Sequence, residues 1–162
     1  MVNSEGKLTA IYVGAQKGAA KSPAANAELI AGHGLSGDRH AGVDPRRQVS
    51  LIAHEVLREL AAEGLHYSAG ELNANLLVEG IALDSLKPGA RLRLAGVEIE
   101  IVEARQPCGV LTRLDRRLPK KLYRRCGQLG RVLTSGIIHP GAVVEVINPQ
   151  PEICFEVSLV QP

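Results

Sequence analysis

Aromatic residues are scarce in this chain, whose 162 residues include one Phe, three Tyr and no Trp. Proteins that bind single-stranded nucleic acids stack the bases on aromatic side chains, and their surfaces are strongly basic. The formal net charge here is only +2. Neither feature is present, so we expect no nucleic-acid partner.

Long apolar segments are also missing from the sequence. No run approaches the roughly 18 apolar residues that a membrane-spanning helix needs, and the N-terminal stretch 1–7 is polar. A secretory signal peptide would require an apolar core there. We therefore expect a cytoplasmic protein with no membrane partner.

Cysteine and histidine occur without metal-binding spacing. Cys108, Cys126 and Cys154 are an odd number of thiols with no CxxC pair, which argues against a disulfide framework and against a zinc ribbon. The five histidines include no HExxH motif. No protein-ligated zinc is expected, and reduced thiols agree with a cytosolic compartment.

The hydrophobic pattern indicates short strands with one good helix. The clearest hairpin joins residues 91–94 to 97–101 across Ala95-Gly96, with alternating apolar and charged residues on both sides. Further strands are predicted around Leu8 to Val13 and at 49–52, 75–78, 131–134, 142–147 and 153–160. Many short strands at this spacing predict a barrel or a sandwich.

Helical periodicity is confined to two places. Residues 54–63 have Val56, Leu57 and Leu60 on one face, and Gly64 follows as a left-handed stop. A weaker, basic stretch at 120–125 precedes Cys126. With no repeat and no linker, the chain is predicted to be a single domain over 1–162, with a core at about 7–147 and a C-terminal extension at 148–162 that carries a strand.

Cys108 is the strongest candidate for chemistry. It follows the strand that ends the predicted hairpin, and Arg105 and Arg113 flank it. Neighbouring positive charge favours the thiolate, which is the nucleophilic and metal-ligating form. The alternative is that Cys108 is a small buried apolar residue, because free cysteine is commonly buried. Its local sequence leaves both interpretations open.

The segment Gly14 to Arg47 is the least regular part of the chain. It combines several glycines with the cations Lys17, Lys21, Arg39, Arg46 and Arg47. Such a loop is able to wrap an anion, because glycine lets backbone N–H groups approach phosphate and arginine binds its oxygens through a planar fork. The alternative is a solvated loop. Asp38, in a Gly-Asp turn, is interpreted as a cap for nearby backbone amides.

Several stretches in order carry a family resemblance. They are Gly34-Leu35-Ser36-Gly37-Asp38-Arg39-His40-Ala41-Gly42, Arg47-Gln48-Val49-Ser50-Leu51-Ile52, Asn75-Leu76-Leu77-Val78-Glu79-Gly80-Ile81, Leu86-Lys87-Pro88-Gly89-Ala90-Arg91-Leu92, Pro107-Cys108, and Gly130-Arg131-Val132-Leu133 with Gly136-Ile137-Ile138. Together these resemble the MOSC domain, named for the C-terminal part of molybdenum-cofactor sulfurases, over about residues 7–147. The chain looks like a small stand-alone bacterial member.

The resemblance implies a mainly β fold: a closed barrel of the pyruvate-kinase-barrel type with one or two helical insertions. It also implies a pterin-type molybdenum cofactor with a terminal phosphate. Cys108 is then the catalytic residue, and its sulfur is the metal ligand. The predicted cofactor contacts are Lys21, Arg39, His40, Arg47 and Asn75. Asn75 both donates and accepts, which suits a pterin edge, but an Asn there also suits a turn.

Three functions remain open from the sequence. In the first, Cys108 accepts sulfur from a cysteine desulfurase and carries it for cofactor maturation. In the second, Cys108 ligates molybdenum in a reductase of N-hydroxylated compounds that needs a redox partner. In the third, the domain binds the cofactor without turnover. Cys126 is a candidate resolving thiol for Cys108, or a structural residue. Two departures from the family pattern, Ala74 before Asn75 and Ala142 after Gly141, each remove a carboxylate. They favour binding or sulfur transfer over turnover.

Overall fold

Seven strands close into a barrel in the computed structural model, which describes residues 4–148. The described residues contain eleven strands, of which these seven are part: β1 (Glu5–Val13), β2 (Ser22–Ala24), β3 (Ala27–Ile30), β4 (Gly34–Leu35), β5 (Val49–Ala53), β6 (Leu76–Glu79), β7 (Arg91–Leu94), β8 (Val97–Ala104), β9 (Gln128–Val132), β10 (Gly136–Ile138) and β11 (Val143–Asn148). The helices are α1 (His54–Ala62), α2 (Gly109–Leu114) and α3 (Leu118–Lys121), with a 3-10 helix at Leu83–Ser85.

Closure comes from the pairing of the first barrel strand with the last. Around the barrel the order is β11, β7, β8, β9, β5, β6 and β1, and β1 pairs back with β11. Only β5 and β6 run parallel, with α1 in the connection between them. β2 extends the sheet from β1, while β10, β3 and β4 form a separate small sheet. The predicted mainly β closed barrel with helical insertions is confirmed.

The predicted hairpin forms as β7 and β8. Its inward residues Leu92, Leu94, Val97, Ile99 and Ile101 all have 0% exposed surface. The two turn residues, Ala95 and Gly96, both have positive φ. A two-residue turn of that kind matches the right-handed twist of the paired strands. The apolar alternation therefore becomes the barrel core.

The predicted first helix is also present as α1, which buries Val56, Leu57 and Leu60. Gly64 follows it with a φ of +84°. That left-handed conformation is readily adopted by glycine and ends the helix. Because α1 joins two parallel strands, it is the crossover that such a pair requires.

Some boundaries differ from the predictions. The helix predicted at 120–125 spans Leu118–Lys121 instead, because Pro119 suits a first helical turn and Arg124, at a φ of +63°, cannot continue the helix. The segment predicted to be least regular contains β2, β3 and β4. α2 was not predicted. The strand predicted at 153–160 lies outside the described residues.

β9 begins three residues before the predicted start. Its first residue, Gln128, is a polar side chain buried in the barrel, where its Nε2 donates to the carbonyl oxygens of Leu83 and Leu86 at 3.1 Å each. These two bonds use both hydrogens of the amide, whereas the buried Oε1 of Gln128 has no hydrogen-bond partner among the described residues. Gly127 before it comes so near Leu51 that an added Cβ would lie 1.9 Å from the Leu51 oxygen.

Candidate functional site

A cavity of about 360 Å³ opens at one end of the barrel. Its walls come from the segment after β4, the start of β5, the residues before β6, the end of β8 and the residues that follow β8. The lining residues are His40, Arg47, Val49, Ser50, Asn73, Asn75, Glu103, Ala104, Arg105, Gln106, Cys108 and Leu129. Four of the six predicted site residues are in this list: His40, Arg47, Asn75 and Cys108.

Asp38 and Lys21 form a fully buried ion pair beside the cavity. The Lys21 Nζ donates to Asp38 Oδ1 at 2.7 Å and to Oδ2 at 2.8 Å, and neither side chain has exposed surface. Asp38 also accepts from the backbone N–H groups of Gly14 and His40. The predicted capping role of Asp38 is therefore present, as one part of a larger network.

Burial alone would raise the pKa of Asp38, but hydrogen bonds from His40, Lys21 and Gly14 outweigh it and hold that pKa well below its ordinary value. Burial lowers the pKa of Lys21, and the bond to Asp38 only partly offsets this. Asp38 is thus firmly ionised, and its charge organises the donors around it.

His40 connects this network to the cavity. Its Nδ1 lies 3.0 Å from the Lys21 Nζ and 3.3 Å from Asp38 Oδ2, while 45% of the side chain is exposed. Nδ1 is therefore held between the Lys21 ammonium and the Asp38 carboxylate, and Nε2 is the ring nitrogen on the side of the cavity. Lys21 itself does not line the cavity, and its predicted ligand contact stays a prediction.

The Asn75 side chain makes its hydrogen bonds within the protein. Its Nδ2 donates to the Tyr12 carbonyl and to Asp38 Oδ1, each at 3.1 Å. Its Oδ1 accepts from the backbone N–H and the hydroxyl of Ser50, again at 3.1 Å. These four bonds use both amide hydrogens and both oxygen lone pairs. Although Asn75 lines the cavity, its hydrogen bonds connect neighbouring strands of the barrel.

Arg39 has protein partners as well. Its Nη1 donates to the carbonyl oxygens of Gln16 and Ala19 at 2.8 and 3.3 Å, and its Nη2 donates to the side chain of Asn73. Asn73 lines the cavity and has a φ of 65°, a left-handed conformation that Asn tolerates better than most residues. Arg39 therefore reaches the cavity through Asn73.

Arg47 and Glu103 face each other in the cavity wall. The Arg47 Nε donates to a Glu103 carboxylate oxygen, and 58% of the arginine side chain is exposed. An exposed pair of this kind contributes little to stability. The guanidinium is therefore free to exchange Glu103 for another anion. Glu103 was not among the predicted site residues, and it supplies a carboxylate to the cavity wall.

Arg105 is a second guanidinium at the cavity, and it is 91% buried, with 9% of its surface exposed. Its Nη2 donates to the Leu72 carbonyl, whereas its Nη1 is buried with no hydrogen-bond partner among the described residues. An unpaired buried donor costs free energy, and a charged one costs more. An anion in the cavity would relieve that cost. The sequence signal was its position as a cation three residues before Cys108.

Cys108 is exposed at the edge of the cavity, immediately before α2. The interpretation of Cys108 as a buried apolar residue is therefore wrong. Cys126 is buried, and burial raises the pKa of its thiol, an effect that the nearby Arg105 charge only partly offsets. Cys154 lies outside the described residues.

Residues 37–145 match the family model of the MOSC domain. This match covers more than half of the chain. The chain belongs to the MOSC domain family.

Solved MOSC-fold structures superpose on most of this chain. The YuaD protein of Bacillus subtilis gives a TM-score of 0.79 at 22% identity, covering 90% of this chain and 98% of that one. YiiM of Geobacillus stearothermophilus gives 0.69 at 20% identity, covering 88% and 75%. YiiM of Escherichia coli gives 0.65 at 22% identity, covering 88% and 69%. A search of curated proteins finds no significant match.

The two departures from the MOSC pattern have structural consequences. Ala74 is completely buried, so a carboxylate at this position would have to be buried with it. Near Ala142, the turn is held by backbone bonds alone: Gly141 donates to Leu8 and Ala142 donates to His139. The turn therefore forms without a capping side chain.

Two further observations concern residues 4–148 of this MOSC domain. Residues 4–148 contain no group of three or more His, Cys, Asp or Glu side chains placed to hold a metal ion. No helix among them has the length and apolar character needed to span a membrane.

Proposed function

We propose that this MOSC domain binds an anionic molybdenum–pterin cofactor in the cavity beside Cys108, with the Cys108 thiolate as its soft ligand. The observation that carries the proposal is a pairing within one cavity. An exposed thiol and a buried guanidinium with an unpartnered Nη1 both line it. A soft thiolate suits a transition metal, and a buried guanidinium suits a phosphate or another anion.

The other lining groups divide the work. Arg105 and Arg47 would hold anionic oxygens, with Arg47 released from Glu103. His40 would present its Nε2, because Lys21 and Asp38 occupy its Nδ1. Asn75 and Asp38 would fix the backbone behind these groups. When bound, the cofactor supplies two-electron redox chemistry at the metal, and the protein supplies orientation and charge.

A second candidate, sulfur carriage, is favoured by the exposure of Cys108. An exposed thiolate can attack the outer sulfur of a persulfide held by a cysteine desulfurase. A new S–S bond then forms on Cys108, the old S–S bond breaks, and the donor cysteine leaves as a thiolate. Cys108 ends the step as a persulfide, with no other oxidant required.

Purification from a host that makes the cofactor separates these functions. We expect the wild-type protein to carry molybdenum and pterin in equal amounts, and Cys108→Ser to lose both. Cys126→Ala is the matched control and should keep them, because its thiol is buried. Metal analysis, pterin fluorescence and intact mass are measured on the same samples.

Four other outcomes are informative. An extra sulfur mass on Cys108 without molybdenum would replace the first proposal by sulfur carriage. Stoichiometric cofactor retained by Cys108→Ser would show a binding module in which the thiol is not a ligand. Reduction of N-hydroxylated bases by an artificial electron donor with the wild-type protein, and no reduction with Cys108→Ser, would identify the protein as a reductase. No molybdenum, pterin or extra sulfur in any sample would contradict both proposals.

A further inference from the structure

Positive charge is concentrated in one short segment of this chain. Residues 113–125 carry seven of the 19 Lys and Arg residues and one of the 17 acidic residues, a net charge of +6. Since the whole chain has +2, the remaining residues together carry −4. Charge separation on this scale produces a local potential that steers charged partners. We call residues 113–125 the basic segment.

About half of these cations are not neutralised by their neighbours. Arg117, Lys121 and Arg125 pair with Asp115, Glu63 and Glu59 respectively. The other four are exposed and form no ion pair with any residue between 4 and 148: Arg113, Arg116, Lys120 and Arg124. Their charges are therefore available to a partner.

The segment also has a concave shape. Arg116, Arg117, Lys120, Lys121 and Arg125, together with Glu63, line an open hollow of about 560 Å³. Val110, Leu114 and Tyr123 are exposed large apolar residues on or next to the segment, and 61% of Tyr123 is exposed. Arginine and tyrosine are enriched at the energetically important positions of protein interfaces.

Two alternative partners fit less well. Tyr123 is the single aromatic residue of the segment, and the Arg124 guanidinium lies over its ring, 5.4 Å from the centre, so little aromatic surface is offered to nucleic-acid bases. The helices are only six and four residues long. Helices that lie in a membrane interface are much longer, because they must bury a continuous apolar face.

We infer that the basic segment is a docking surface for an acidic protein partner that reaches Cys108. α2 begins directly after Cys108 and leads into the segment. A six-residue helix is roughly 9 Å long, about one Debye length at physiological salt. A partner bound on the segment would therefore lie close to the exposed thiol at the start of α2. Whether that partner exchanges sulfur or electrons with Cys108 rests on the proposed function.

A disulfide-exchange reaction tests the docking without assuming either function. The probes are an oligoglutamate peptide and an oligoglutamine peptide of equal length, each ending in a thiopyridyl disulfide. The Cys108 thiolate attacks the peptide sulfur, a mixed disulfide forms, and thiopyridone leaves with a measurable absorbance. We expect the acidic peptide to react about tenfold faster or more at low salt, and this advantage to disappear at high salt.

Two charge-reversal variants test whether the basic segment causes the rate advantage of the acidic peptide. Arg116→Glu/Lys120→Glu should remove the rate advantage of the acidic peptide. Lys17→Glu/Lys87→Glu changes the net charge equally at exposed lysines outside the segment and should keep the advantage. Cys108→Ser should give no reaction at this site, and circular dichroism checks that each variant is folded. Equal rates for the two peptides, or equal losses in both double variants, would overturn the inference.

Binding measurements distinguish the other partners. Tyr123→Trp adds the only Trp of the chain, so its fluorescence reports binding at the segment. Tighter binding of single-stranded DNA, or of phosphatidylcholine vesicles containing phosphatidylglycerol, than of oligoglutamate would replace the protein partner by nucleic acid or lipid. Salt-sensitive dimerisation lost in Arg116→Glu/Lys120→Glu would identify a second copy of this chain as the partner. Each of these results leaves the cofactor and sulfur assays unaffected.

Discussion

The Lys21 ammonium lies 2.7 and 2.8 Å from the two carboxylate oxygens of Asp38, with both side chains out of contact with solvent. Residues 17 positions apart thereby form the buried ion pair beside the cavity. Asp38 accepts bonds from several sources, whereas Lys21 serves only Asp38 and His40 among the described residues. The two residues should therefore respond differently to substitution.

Substitution of Asp38 should destabilise the fold more than substitution of Lys21. Asp38→Ala leaves a buried ammonium without a counter-ion, which costs about 3–5 kcal/mol. Lys21→Met leaves Asp38 with three N–H donors and should cost less. The free energy of unfolding is measured in urea at neutral pH. Arg58→Ala, which breaks an exposed pair with Glu79, is the control and should cost less than about 1 kcal/mol. A larger loss in Lys21→Met than in Asp38→Ala would contradict this order.

Acid should weaken the wild-type protein through Asp38. The folded-state pKa of this carboxyl lies well below the ordinary 3.8. Below pH 3.8 the unfolded chain therefore binds a proton that the folded protein does not, and stability falls as the pH drops, by about 1.4 kcal/mol per unit for one group. Above that pH the contribution is fully present. Asp38→Asn should show a shallower acid slope in urea titrations, and parallel slopes would contradict the assignment.

Phosphate should stabilise the protein through Arg105. An anion that binds only the folded state raises the melting temperature, and the unpartnered Arg105 Nη1 is the buried donor it would satisfy. We expect phosphate to raise the melting temperature of the wild type and to leave that of Arg105→Met unchanged. Chloride at matched ionic strength is the control for screening. An equal shift in both proteins would place the anion elsewhere.

Glu103 should compete with a bound anion for Arg47. Because the two side chains pair in the cavity wall, Glu103→Gln should increase the affinity for a pterin phosphate. Arg47→Ala should reduce it by removing a charge-assisted bond that contributes about 1.5–3 kcal/mol. Calorimetric titration with the isolated cofactor measures both. Lys17→Ala is the control because Lys17 does not line the cavity, and Arg39→Ala should have an intermediate effect because Arg39 acts through Asn73. Equal affinities for wild type, Arg47→Ala and Arg39→Ala would mean that the arginines of segment 14–47 do not hold the phosphate.

Alkylation should distinguish the two thiols that the structure describes. Iodoacetamide at neutral pH should modify exposed Cys108 quickly, and buried Cys126 only when the protein unfolds, because its thiol is shielded and its pKa is raised. Peptide mass spectrometry over time gives both rates. Modification of Cys126 first would remove the basis for placing the chemistry at Cys108.

Local patterns in the sequence were enough to predict most of the barrel. The alternation of Leu92, Leu94, Val97, Ile99 and Ile101 specifies strands that bury one face, and Ala95-Gly96 specifies the turn between them. The pattern failed where a polar residue is buried, as at Gln128, or where backbone conformation ends a helix, as at Arg124. Neither feature produces a periodic signal.

The candidate site, like the fold, was predicted only in part from the sequence. The sequence by itself identified Cys108, His40, Arg47 and Asn75, because these residue types carry recognisable chemistry within a family pattern. Only the tertiary structure showed that Asn75 is saturated by Ser50, Tyr12 and Asp38, that Lys21 is neutralised beneath His40, and that Arg105 keeps one buried donor unpartnered. Hydrogen bonding and burial depend on residues brought together from distant positions in the chain. Which polar groups remain available to a ligand is therefore decided by the closed barrel, and no local pattern contains that information.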